Sequence, residues 1–190
     1  MERSSPEPLP STNGNGLVFW PVFLFVLVAD LITKAIAVYS LGSYEPPRRV
    51  FGNVLRWMLV YNPGAAFGFH LGPYSRWIFM ALTAGALYVL WRLYEDTQRG
   101  DRPRSLALAL VCAGALGNLI DRVRSPRGVV DFIDMGIGDA RWPTFNIADV
   151  AVSTGAFLLA WVLWGEDRRA AAFEAAQQAA PAPTESREAS

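Results

Sequence analysis

A four-helix membrane protein with a small β-rich cap outside the membrane is the fold this chain predicts, on three observations. Apolar residues gather in four runs, 17–39, 74–94, 105–120 and 147–164. Each is close to the roughly 20 residues a helix needs to cross a bilayer's hydrocarbon. Between the first two runs lies a segment rich in β-branched and aromatic residues, and between the last two a stretch dense in carboxylates. The chain is 52% hydrophobic with a formal net charge of zero, which argues against a nucleic-acid partner, since that would need a basic patch.

Residues 1–16 are rich in Pro, Ser, Gly and Asn without apolar periodicity, and a disordered tail is expected there. The run that follows has the outline of a secretory signal peptide, with Ala35-Ile36-Ala37 resembling its small-residue cleavage site through the two alanines. Only Arg3 is basic before it, however, and Asp30 and Lys34 occupy the region where cleavage needs neutrality, so a retained span is the expectation. Lys34 is the single lysine among 17 basic residues. Asp30 and Lys34, at i and i+4, can pair on one helix face. Ionisable groups inside a span cost on the order of 2.5–3.5 kcal/mol, so two readings stay open: a pair that offsets its own cost, or a part of a functional site.

Residues 50–61 alternate partially and read as one or two short strands. Asn62-Pro63-Gly64 forms a turn, and Ala65, Ala66, Phe67 and Gly68 follow as a small-residue stretch. The segment 40–72 should lie on the membrane surface as a cap, its aromatic residues at the interface. His70 is the sole histidine, and with no cysteine or second histidine nearby no metal site is expected. The second run, free of ionisable residues between Arg76 and Arg92, is the scaffold helix. Cys112, the single cysteine, excludes an internal disulfide and is read as a packing residue.

Gly114, Gly117, Asn118, Asp121 and Arg122 fall at i, i+3, i+4, i+7 and i+8, one small and polar stripe on an apolar helix. Asn146, Asp149 and Ser153 repeat the pattern at the start of the fourth run. Lipid cannot satisfy such stripes, so they must face each other or a wet cavity. Beyond Gly165 the sequence can open as a short helix and then loses apolar drive, a tail over 166–190. The expected organisation is a tail, one membrane domain over 17–165, and a second tail.

With four spans, both termini and the loop 92–104 share one side of the membrane. Arginines divide about evenly between the sides, so the positive-inside rule does not decide. The short arginine-rich loop 92–104 favours a cytoplasmic placement for it and for both termini.

No serine or cysteine has a plausible base, and no glycine-rich phosphate cradle of the GxxxxGK[ST] kind is present. What remains is a set of aspartates, Asp121, Asp131, Asp134, Asp139 and Asp149, near one membrane face. Two carboxylates sharing a site cannot both ionise readily, so one keeps a proton as general acid while the other activates water. Such a pair hydrolyses peptide bonds without a covalent intermediate. A proton-coupled transporter and a non-catalytic lipid-binding protein are the competing classes. The transporter would want carboxylates near the midplane and repeated halves, and neither is evident.

DLITK at 30–34, NPGAAFG at 62–68, GNLIDR at 117–122, VVDF at 129–132 and FNIAD at 145–149 resemble, in order and spacing, the blocks of the bacterial lipoprotein signal peptidase family, signal peptidase II. The resemblance covers about residues 17–164. It implies four transmembrane helices with a small extracytoplasmic cap in the bacterial inner membrane. It implies an aspartic endopeptidase that removes signal peptides from diacylglyceryl-modified prolipoproteins just before the lipidated cysteine, without a cofactor. Carried over by motif, Asp131 and Asp149 are the catalytic aspartates. Asn62, Asn118, Arg122 and Asn146 match positions that hold the substrate and shape the site, while Asp30 and Lys34 support it. Asp121 is expected to pair with an arginine or cap a helix, and Asp134 and Asp139 to be solvated loop carboxylates.

Overall fold

The computed structural model describes residues 14–42, 46–64 and 72–179. His70 and the segment Ala65, Ala66, Phe67 and Gly68 lie outside them. Four long helices carry the four apolar runs: α1 (Gly16–Ser40), α2 (Ser75–Glu95), α3 (Arg102–Arg124) and α4 (Ile147–Ala179). Each is long and apolar enough to cross a membrane. Many large apolar side chains on them, including Phe25, Leu82, Tyr88, Phe157 and Trp161, find no cover within the chain. In a bilayer they meet lipid, which is the environment this surface requires.

Helix α3 forms the centre of the bundle. It contributes Ala107, Leu108, Ala109, Cys112, Ala113, Gly114 and Gly117 to the interior, whereas the scaffold helix α2 buries only Ser75. Small residues on α3 let its neighbours approach closely, as membrane helices need in the absence of a hydrophobic drive between them. A methyl group at Gly114 would collide with the Ala148 carbonyl of α4, and one at Gly117 with the Asp30 carboxylate of α1. The start of α3 is capped by Asp101, whose side chain accepts from the Arg104 amide at 3.1 Å.

At the end of the bundle nearest the termini, Phe19 packs on Leu108, Ala109 and Cys112, with Tyr94 4.1 Å away centroid to centroid. Of the tail expected over residues 1–16, residues 1–13 lie outside the described residues, and Gly16 already belongs to α1. Asn15 is buried, donating to Gln98 O at 2.8 Å and accepting from Gly100 N at 2.9 Å, so it ties the start of α1 to the α2–α3 turn. Helix α4 runs unbroken past Gly165 to Ala179, longer than the short extension expected.

At the other end sits the cap, a four-stranded antiparallel sheet in the order β1-β2-β3-β4: Arg48–Phe51, Leu55–Asn62, Val129–Ile137 and Ala140–Arg141. The first pair realises the strands expected over 50–61. The second is a hairpin where Asp134 and Asp139 were expected to sit in a loop. Its reason is Asp134, which is not a solvated loop carboxylate but buried between two arginines. Arg56, its cross-strand partner, donates through Nε at 2.6 Å, and Arg141 through Nε at 3.0 Å. Burial alone would raise the Asp134 pKa, yet these hydrogen bonds and charges outweigh it and hold the carboxyl below its usual range. Asp139, at the hairpin turn, is exposed as expected.

Candidate active site

The stripes on α3 and α4 meet beneath the sheet. Asn146 stands just before α4 and forms a reciprocal cap with Asp149, the third residue of the helix. Asp149 N donates to Asn146 Oδ1 at 2.9 Å, and Asn146 N donates to Asp149 Oδ2 at 3.1 Å. This is the capping-box arrangement, which satisfies amides that helix geometry leaves without partners. The next free amide, Ala148 N, donates at 2.9 Å to Asp30 Oδ1 from α1, a cap supplied across the bundle.

Strand β3 brings the second carboxylate. Phe132 N and Ile133 N both donate to Phe145 O, at 3.1 and 2.8 Å, and so dock the entry to α4 along the strand. Asn146 Nδ2 then reaches Asp131 Oδ1 at 2.8 Å, and Asn62 Nδ2 reaches Asp131 Oδ2 at 3.2 Å. Asn62 is itself fixed by the turn predicted after it, with Gly64 N donating to its Oδ1 at 3.0 Å. The turn before β3 passes directly over Asn62 O. Only a glycine fits there, because Gly128 has φ of 99° and any side chain would strike the Asn62 carbonyl.

Asn146 thus touches both Asp131 and Asp149 at once. Asn118 completes the frame, donating to Asp149 Oδ1 at 2.8 Å while its own Oδ1 accepts from Lys34 Nζ at 2.9 Å. Arg122 lies under the same floor, donating to Gly64 O at 3.0 Å and Asn118 O at 3.2 Å, and its guanidinium covers the Phe79 ring. All eight residues singled out in the sequence therefore belong to one connected cluster.

A cleft of about 520 Å³ opens onto this cluster, lined by Asn62, Asn118, Arg122, Asp131 and Asp149 on its polar side and by Val129, Phe145 and Val152 on its apolar side. Asp131 is 2% exposed. Burial is the main reason its carboxyl is pushed up to about 7, and the nearby Asp149 charge adds to it, against the lowering effect of Asn62, Asn146 and Lys34. Near neutral pH, then, a carboxyl that carries a proton stands beside another carboxylate at the same cleft. Among the described residues no cluster of His, Cys, Asp or Glu is arranged to hold a metal ion.

The contacts of three residues were not legible in the sequence. Asp121 pairs with Lys34 at 2.9 Å and accepts from Val130 N at 3.2 Å, in place of the arginine or helix cap expected for it. Arg76 on α2 donates to Arg122 O at 2.6 Å and Val123 O at 3.2 Å, closing the last turn of α3. Asp30 caps a helix 118 residues away. Only the position of Arg76 at the edge of an apolar run hinted at any of these. Replacing Asn146 with Ala is expected to lower stability by about 2 kcal/mol, since it removes the side-chain cap on the Asp149 amide and leaves the Asp131 carboxyl short of a donor. Thermal melting of the detergent-purified protein measures that loss, and an unchanged midpoint would contradict the bridging role.

Carboxylates paired in this way at the mouth of an apolar helix bundle define a class, the membrane-embedded aspartic peptidases. The family model described as "Signal peptidase (SPase) II" matches residues 22–165. Among curated relatives, the lipoprotein signal peptidase of Polynucleobacter necessarius is 37% identical over 158 residues, spanning 80% of this chain and 91% of the relative. That of Burkholderia thailandensis is 40% identical over 158 residues, spanning 80% and 92%. Two solved structures described as bacterial membrane enzymes superpose with TM-scores of 0.70 and 0.67 at 31% and 32% identity. They cover 78% and 76% of this chain and 88% and 90% of their own. The chain belongs to the signal peptidase II family. It is a hydrolase of the bacterial membrane, and the transporter and lipid-binding classes give way to that reading.

Proposed function

We propose that Asp131 and Asp149 are the catalytic pair with which this peptidase cleaves the signal peptide from diacylglyceryl-modified prolipoproteins, just before the lipidated cysteine. The observation that carries this reading is Asn146, one residue that donates to both carboxylates, through its side-chain amide to Asp131 and through its backbone amide to Asp149. A water between the two attacks the scissile carbonyl carbon. One carboxylate takes a proton from that water, the carboxylic acid gives its proton to the leaving amine, and the C–N bond breaks. The sum is one water consumed and no group left on the enzyme, so no cofactor is required.

Asn62, Asn118, Arg122 and Asn146 hold the frame, and the cleft's open edge receives the peptide in extended form. The acyl chains of the substrate stay in lipid against the helices. Both termini are read as cytoplasmic, which puts the cap and the pair at the extracytoplasmic face. The test incubates the purified protein in lipid with a diacylglyceryl-modified prolipoprotein and with the unmodified precursor. Mass spectrometry should find a product beginning at the lipidated cysteine from the first and none from the second. Equal cleavage of both would overturn the lipid requirement.

A further inference from the structure

Lys34 is the one lysine in the chain, and it is buried to 3% exposure within a membrane span. Its ammonium has three N–H groups and three acceptors at hydrogen-bond distance: Asp30 Oδ2 at 2.8 Å, Asn118 Oδ1 at 2.9 Å and Asp121 Oδ2 at 2.9 Å. The first offsets the cost of burying both charges. The other two continue into the site. Asn118, its Oδ1 occupied by Lys34, turns Nδ2 onto Asp149. Asp121, held by Lys34, accepts the amide of Val130, the residue that precedes Asp131 on β3.

We propose that Lys34 is a positioning residue for hydrolysis, one ammonium from which two hydrogen-bonded arms set the placement of Asp149 on α4 and of Asp131 on β3. The proposal rests on the reading of those two aspartates as the catalytic pair. An ammonium with three independently directed donors suits acceptors on two different helices. A guanidinium, a planar fork suited to bidentate partners, does not. The charged groups gathered around the site among the described residues are Asp30 on α1, Asp121 and Arg122 on α3, Asp131 on β3 and Asp149 on α4. Lys34 also favours the ionised form of Asp131 by its charge, so charge and geometry can be separated by substitution.

The experiment measures steady-state cleavage of the lipid-modified prolipoprotein by the full-length protein, Lys34→Met and Lys34→Arg, from about pH 5 to pH 9. Displacing reacting groups by about 1 Å can cost on the order of 10²-fold, so both variants should lose about that much in kcat, with KM within about twofold. The pH profile of Lys34→Met should move to higher pH, while that of Lys34→Arg stays with the wild type. Should Lys34→Met not fold, Lys34→Arg decides through its split between kcat and KM. A loss confined to KM, or to the yield of folded protein with kcat per folded molecule unchanged, overturns the proposal. Asp131→Asn and Asp149→Asn run in parallel separate the two ideas. If either keeps cleavage within about tenfold of wild type, the catalytic pair is wrong; if both lose at least about 10³-fold while the Lys34 variants turn over at the wild-type rate, only the positioning role fails.

Discussion

Asp131→Asn and Asp149→Asn are each expected to reduce kcat for the lipid-modified substrate by at least about 10³-fold, within the range that a positioned acid or base contributes. An amide keeps the size and most of the hydrogen-bonding capacity of the carboxyl, so the fold should persist. Neither variant can accept or release a proton in the cycle. The carboxylate at 131 accepts from Asn146 and Asn62, and that at 149 from Asn118 and the Asn146 amide. In either variant one amide NH₂ must face a donor, a local loss of about 1–3 kcal/mol that melting would register apart from activity. Residual cleavage within tenfold of wild type, in protein of normal melting behaviour, would remove these residues from the chemistry.

The second expectation concerns stability and pH. The Asp131 carboxyl has an ordinary value of 3.8 and is raised to about 7 in the fold, mainly by burial. A group raised on folding contributes stability that is fully present below its unfolded value and is lost as pH rises through its folded value. Wild-type stability should therefore fall between about pH 4 and pH 7, by a few kcal/mol at one pKa unit per roughly 1.4 kcal/mol, and then level off. Asp131→Asn has no such proton to lose. Its melting temperature relative to wild type should climb across that window and exceed it near pH 8, although the variant is inactive. A difference that stays flat from pH 4 to pH 9 would mean the carboxyl is not held protonated by burial. Asp134 supplies the contrast: its pKa is lowered, so its contribution disappears only as pH falls below the usual carboxylate range, outside this window.

Stability and the proposed chemistry therefore pull against each other at Asp131. A buried carboxyl beside a second carboxylate is a costly arrangement, tolerated because Asn62 and Asn146 satisfy its oxygens. The same desolvation keeps a proton available near neutral pH.

Much of this was legible along the chain. Length and hydropathy alone specify four spans, because a bilayer admits little besides helices of that length. The period of Gly114, Gly117, Asn118, Asp121 and Arg122 announced a shared face, since a helix places such positions in one row whatever surrounds it. The turn at Asn62-Pro63-Gly64 was equally local, and the structure uses it to orient Asn62.

What only the tertiary structure decided is the fate of each carboxylate. Asp134 and Asp131 are three residues apart on one strand, yet one is neutralised by Arg56 and Arg141 and the other is left with only asparagine donors. Strand pairing makes that difference, and Arg56 lies 78 residues away from Asp134 in the chain. Likewise Asp121 and Asp30 are committed to Lys34, Val130 and Ala148 by helices that meet only when the bundle closes. Local sequence dictates which segments cross the membrane and which polar groups share a face, because those follow from backbone period and solvent. The environment that separates a carboxyl raised by burial from one neutralised by arginines is built from long-range contacts, and no period along the chain encodes them.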